Sequence, residues 1–145
     1  MTETGGRSWR QTTYYPFLHA SRYGRGTVLN TVVKSDSYEA DFESVTYKIP
    51  YLDSVAVING NDLTIFAINK YLDADMNFEC ELRGFGDFEV VEHIVMHSPD
   101  IKAKNTADKP DNVKPEIKGD AAVRSSRLKA TLTRLSWNVI RLKLK

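Results

Sequence analysis

The sequence predicts an all-β protein, an antiparallel β-sandwich with one short helix at its N-terminal edge. Three observations carry this. About eight short apolar or alternating runs are separated by turn-rich stretches. One pair of runs, from Asp53 to Asn69, forms a hairpin that is apolar on both faces. Only one segment, Thr12 to Tyr23, has the spacing and boundary residues of a helix.

Taken in order, Met1 to Gln11 reads as a glycine-bearing loop. The helix that follows has Tyr15 and Leu18, joined by Phe17 and Tyr23, as its apolar stripe. Pro16 falls in its first turn, where the missing N–H has no intrahelical role, and Gly24 and Gly26 supply the stop. Thr27 to Val33 is expected as a first strand and Asp41 to Tyr47 as a weaker one, with a polar turn over Asp36 to Glu39 between them. In the central hairpin, Val55 to Ile58 leads into Asn59-Gly60-Asn61-Asp62, residue types that readily take positive φ, and Leu63 to Ile68 leads out. A strand apolar on both faces needs two covers. One is the rest of the domain; the second is expected from a partner surface. Met76 to Leu82 alternates strictly, as a half-buried strand does, and Gly84 to Asp87 turns into a long strand from Phe88 to Met96. Residues Ser98 to Asp120 are polar and hold three of the five prolines, a length that implies a functional, docked or disordered loop. Leu128 to Leu132 and Trp137 to Leu144 close the chain as strands.

Composition excludes several function classes. Twenty basic and nineteen acidic residues leave a net charge of +1, which removes the usual electrostatic argument for nucleic acid or an anionic membrane. A single cysteine, Cys80, excludes an internal disulfide framework and a cysteine zinc cluster. No apolar run approaches membrane-spanning length, and the polar start is unlike a signal peptide.

Candidate chemistry is sparse. His93 and His97 lie four residues apart, with Glu89 on the same expected strand face. Four strand residues span about 13 Å, so the two imidazoles do not share an ion without a bulge, and they are read as surface or interface histidines. Asp36, Glu39, Asp41 and Glu43 are read as solvated, with no apolar surroundings to raise one pKa. Cys80, between Phe78 and Leu82, is read as a small buried hydrophobe. The seven basic residues from Arg124 onward are the best nucleic-acid hint, yet Arg141, Lys143 and Lys145 alternate with leucines as in a protected edge strand. Trp137 is expected in the core. Trp9, beside Arg7 and Arg10, is harder to place there.

The segment MTETGGRSWRQTTYYPFLHASRYGRG resembles the stretch that follows the last barrel strand in α-L-arabinofuranosidases of glycoside hydrolase family 51. IPYLDSVAVINGNDLTIFAIN, LRGFGDFEVVEHIVMHSPDIKAKNTADKPDNVKP and LSWNVIRLKL are similar to that family's C-terminal domain, in the same order. The resemblance implies a jelly-roll-like β-sandwich over residues 27–145, with 1–26 as the last loop and helix of a (β/α)8 barrel. It implies that the barrel and its two catalytic glutamates lie outside this sequence; Glu3 matches a loop position and takes no catalytic role. It also implies one substrate-binding residue, Gln11, matching a glutamine that hydrogen-bonds arabinose. No catalytic residue, metal ligand or cofactor is expected here.

The reading implied is an accessory domain of an enzyme that releases terminal α-L-arabinofuranosyl groups by retaining hydrolysis, inactive alone. Its expected partners are the barrel of the same polypeptide, an arabinose-containing oligosaccharide or polysaccharide for the parent enzyme, and further copies in a homo-oligomer, in a cytoplasmic setting. The alternatives are an independent carbohydrate-binding module and a small self-sufficient enzyme. The first lacks a visible aromatic platform and the second an acid, base and nucleophile.

Overall fold

A computed structural model describes residues 4–145. One helix, α1 (Tyr14–Tyr23), precedes eleven strands. They are β1 (Thr27–Val28), β2 (Ser37–Phe42), β3 (Val45–Pro50), β4 (Leu52–Asn59), β5 (Asp62–Asn69), β6 (Met76–Glu81), β7 (Phe88–His97), β8 (Glu116–Ile117), β9 (Ala122–Arg124), β10 (Arg127–Leu132) and β11 (Ser136–Leu144). A six-stranded sheet runs β1-β4-β5-β11-β7-β8 and faces a three-stranded sheet, β6-β10-β9; β2 and β3 form a separate two-stranded ribbon. Every pairing is antiparallel. The expected sandwich is therefore present.

Alternation builds the core. Leu63, Ile65 and Ala67 of β5 and Ile140 and Leu142 of β11 meet Phe78 of β6 and Leu128, Ala130 and Leu132 of β10 between the sheets. On the opposite face of the large sheet, Val57, Phe66, Ile94 and Val139 form a second cluster, joined by Tyr23 and Trp137. This accounts for the hairpin that is apolar on both faces. Much of its second cover is in this chain, because α1 lies there: the Trp137 indole donates to His19 Nδ1 at 3.0 Å, and the Arg141 guanidinium sits 4.4 Å from the centre of the Tyr23 ring.

The central hairpin turns at Gly60-Asn61, where Gly60 alone has positive φ (57°), and Asn59 pairs with Asp62. Other turns differ from expectation. The first strand is two residues long, because beyond Leu29 the chain leaves the sheet and runs along the open edge of the sandwich. The turn expected over Asp36 to Glu39 lies instead at Glu43-Ser44, with φ of 48° and 66°, so Tyr38 and Glu39 are strand residues and the strand expected over Asp41 to Tyr47 is divided between β2 and β3. Gly26, at φ +137°, is required for a different reason than stopping a helix: a Cβ there would lie 2.3 Å from the Ile58 carbonyl oxygen.

The last strand is not an edge. β11 lies between β5 and β7, paired along its length with both. Arg141 on the strand and Lys145 just after it reach carboxylates instead of guarding an edge: Arg141 bonds Glu92 at 2.6 Å and Lys145 bonds Asp87 at 3.1 Å. On β10, Arg127 and Lys129 face Glu81 and Glu79 of β6, so much of the basic C-terminal run is locally neutralised.

Candidate functional site

Gln11 sits where the N-terminal segment becomes α1. Its carbonyl accepts the Tyr14 N–H at 3.0 Å, the first bond of the helix, while its half-buried side chain has no hydrogen-bond partner among the described residues. The side chain lines an open cleft of ≈ 670 Å³ together with Trp9, Arg10, Tyr14 and Phe17, and with Pro110 and Asp111 from the long loop. Phe17 is 78% exposed and belongs to this rim, not to the helix's packed stripe. That stripe is Tyr15 and His19, with Leu18 and Tyr23 half-buried.

One buried amide sets the cleft's shape. Asn105, 1% exposed, donates from Nδ2 to the carbonyls of Arg10 (3.0 Å) and Val113 (2.9 Å), and its Oδ1 accepts the Val113 N–H at 2.7 Å. Its own carbonyl accepts the Trp9 indole N–H at 3.1 Å. The loop is thus docked, and its passenger is the segment carrying Gln11. The Arg7–Asp108 ion pair spans the same junction but is exposed on both sides and adds little. Arg10 lies over the Tyr14 ring at 5.3 Å, bringing one cation to the cleft. Trp9, unplaced from sequence, is therefore a half-buried anchor as well as part of the wall.

Among the described residues the cleft contains one carboxylate, Asp111. Retaining glycoside hydrolysis uses two carboxyl groups about 5–5.5 Å apart. The geometry suits holding and orienting a small polar ligand, and does not provide a complete acid and nucleophile pair.

Other candidates do not converge here. His93 is buried at 3% exposure, not at the surface, and its Nε2 lies 3.2 Å from Asn138 Oδ1. His97 is half-buried. An irregularity in the β7–β11 register leaves Val91 unpaired and turns Glu89 to the opposite face from His93. Among the described residues no group of three His, Cys, Asp or Glu is placed to hold a metal ion. Asp36, Glu39, Asp41 and Glu43 follow the β2–β3 ribbon, with Asp41 accepting the Thr46 hydroxyl at 2.7 Å. Cys80 is half-buried; burial, with Glu81 nearby, pushes its thiol pKa up and keeps it protonated. Glu3 lies outside the described residues. Sequence reasoning missed Asn105 and His19, whose roles depend on contacts across about a hundred residues of chain.

No described helix is long and apolar enough to cross a membrane. The family described as the α-L-arabinofuranosidase C-terminal domain matches residues 1–136. The chain is 46% identical over 146 aligned residues to intracellular exo-α-(1→5)-L-arabinofuranosidase 1 of Bacillus subtilis, covering 99% of this chain and 28% of that protein. It is 43% identical to the Halalkalibacterium halodurans intracellular exo-α-(1→5)-L-arabinofuranosidase, covering 98% and 28%. Among solved structures, AbfB, a family 51 α-L-arabinofuranosidase from Bifidobacterium longum, superposes with a TM-score of 0.86 at 26% identity, over 97% of this chain and 27% of that one. The chain thus spans little more than a quarter of the length of the relatives it matches. With the helix, the docked loop and every strand before β11 inside the family match, and the relatives aligned over nearly the whole chain, this chain belongs to the C-terminal domain family of glycoside hydrolase family 51 α-L-arabinofuranosidases.

Proposed function

We propose that residues 27–145 are an accessory sandwich and residues 1–26 a piece of the neighbouring catalytic barrel, and that together they complete the arabinose site of a retaining α-L-arabinofuranosidase. Gln11 is the substrate-binding residue: its amide hydrogen-bonds an arabinofuranosyl hydroxyl. The barrel supplies both catalytic carboxylates, and the 145 residues are inactive without it. The parent enzyme works in the cytoplasm on arabinose-containing oligosaccharides or polysaccharides.

The observation that carries this reading is the Gln11 side chain, which among the described residues has no hydrogen-bond partner and lies in a cleft with one carboxylate, held in shape by Asn105. Exposed Tyr14 and Phe17 at the rim (41% and 78%) provide apolar surface for a second wall. Polar groups placed in advance bind with less ordering cost, but one wall does not orient a sugar.

The test is hydrolysis of an aryl α-L-arabinofuranoside by this chain alone and mixed with the separately expressed barrel of a family 51 relative. The expected result is no turnover alone and turnover on mixing. Turnover by the chain alone overturns the reading.

A further inference from the structure

Away from the Gln11 cleft, three tyrosines meet at the base of the β2–β3 ribbon. The Tyr71 ring stacks on Tyr51 at 4.3 Å between centroids and 26° between planes, and Tyr51 meets Tyr38 at 5.2 Å. Tyr71 stacks on no other described aromatic ring and is half-buried, so part of it is reached from solvent. Tyr51 and Tyr71 line a separate cleft of ≈ 440 Å³ with Lys34, Asp36, Asp75 and Asn77. The sequence shows no such aromatic cluster, because Tyr38, Tyr51 and Tyr71 come from three different parts of the chain.

The platform is held by backbone bonds. Tyr51 N–H donates to the Asp36 carbonyl (2.9 Å), its carbonyl accepts the Lys70 N–H (2.8 Å), and the Tyr71 carbonyl accepts the Leu135 N–H (3.1 Å). Around it, the side chains of Asp36 and Asn77 have no hydrogen-bond partner among the described residues, and both are exposed. Asp75 uses one oxygen on the Arg134 N–H at 2.8 Å and keeps the other. Aromatic rings beside carboxylate acceptors and an amide donor suit a ligand with C–H faces and a rim of hydroxyls. Asp36 and Asp75 outweigh Lys34, while the Glu79 charge is taken up by Lys129, so the field disfavours anions such as nucleotides and uronic acids. A neutral saccharide satisfies both conditions.

We propose that the Tyr51–Tyr71 cleft is a second saccharide-binding site, separate from the Gln11 cleft, which takes a neutral pentose oligosaccharide. Its role is to hold polymeric substrate on the accessory domain. The choice of a pentose sugar rests on the proposed function; the site itself rests on the cleft.

The experiment is amide-resolved NMR titration of the 145-residue chain with linear α-1,5-arabinopentaose and, separately, β-1,4-xylopentaose. Saturable shifts at Tyr51, Tyr71 and Asn77 with a Kd of about 1 mM are expected, weakened about tenfold in the Asp36→Asn/Asn77→Ala double variant. These two positions are exposed, so the variant keeps its fold; Tyr71→Phe, which retains the ring, keeps binding. Which sugar produces the shifts identifies the glycan. Absence of shifts there with both sugars at about 10 mM overturns the proposal, as does an unchanged Kd in the double variant. Shifts confined to Trp9 and Gln11 also overturn it, while leaving the proposed function standing.

Discussion

Asn105 is the residue on which the local order of the Gln11 cleft depends most. It satisfies two carbonyls and one N–H from inside a nearly dry position. Asn105→Ala leaves these groups buried without partners, at a cost of about 3 kcal/mol, read as a lower denaturant midpoint together with a red-shifted Trp9 emission. His93 governs a different property. Asn138 Nδ2 donates to Ser136 Oγ at 2.8 Å, which directs its Oδ1 toward His93 and places the imidazole proton on Nε2. Among the described residues His93 Nδ1 is left buried without a partner, under Gly119, whose place admits no Cβ (1.9 Å from Nδ1). Burial lowers the His93 pKa, with the Asn138 bond and Asp120 opposing, and burial with Arg22 lowers that of His19, with Glu92 opposing. Both histidines bind protons more readily when unfolded. Their contribution is therefore complete above the ordinary value of about 6.5 and is lost as pH falls below it. Glu79 and Glu81, held low by hydrogen bonds to Lys129 and to Arg83 and Arg127, add their loss only below about pH 4.5. The thermal midpoint is expected to fall between about pH 7 and 5.5, and His93→Gln to flatten that slope. A midpoint constant across this window contradicts the assignment.

At the scale of elements, α1 is held to the large sheet by the Trp137–His19 hydrogen bond and by Arg141 set between Glu92 and Tyr23. Arg141→Ala removes the ion pair and the ring contact together. It is expected to cost about 1–2 kcal/mol and to raise hydrogen exchange in α1 ahead of β5 and β11. Uniform exchange changes across all three elements would mean that α1 is not a separately anchored unit. The same elements show what the sequence made legible. Gly60-Asn61 identified its hairpin because residue type alone permits the turn. Glu43-Ser44 and Ser125-Ser126 each have positive φ at both turn positions, yet neither pair has the Asn-Gly chemistry that marks such turns. Those hairpins are imposed by strand pairing, so one was placed in the wrong register of the chain and the other was not anticipated. β11 misled for a related reason. Its alternating lysines and arginine match an edge, but the carboxylates that receive Arg141 and Lys145 lie on β7 and just before it, invisible to local pattern.

For the whole molecule, the two-faced hairpin indicated two covers, and both clusters exist: one between the sheets and one beneath α1. The sequence did not reveal that the second cover was largely internal, since α1 and β11 are separated by more than a hundred residues. Gln11 was identified by family resemblance, not by its local sequence; its cleft is assembled from three stretches by Asn105. In the proposed function this cleft is one wall of a sugar site completed by a catalytic barrel. The most direct measurement is kcat/KM for an aryl α-L-arabinofuranoside in the reconstituted enzyme, comparing Gln11 with Gln11→Ala. The substitution leaves the backbone bond to Tyr14 in place, so the start of the helix is preserved. A loss of about 10- to 100-fold with unchanged association is expected. An unchanged kcat/KM would contradict the proposed function.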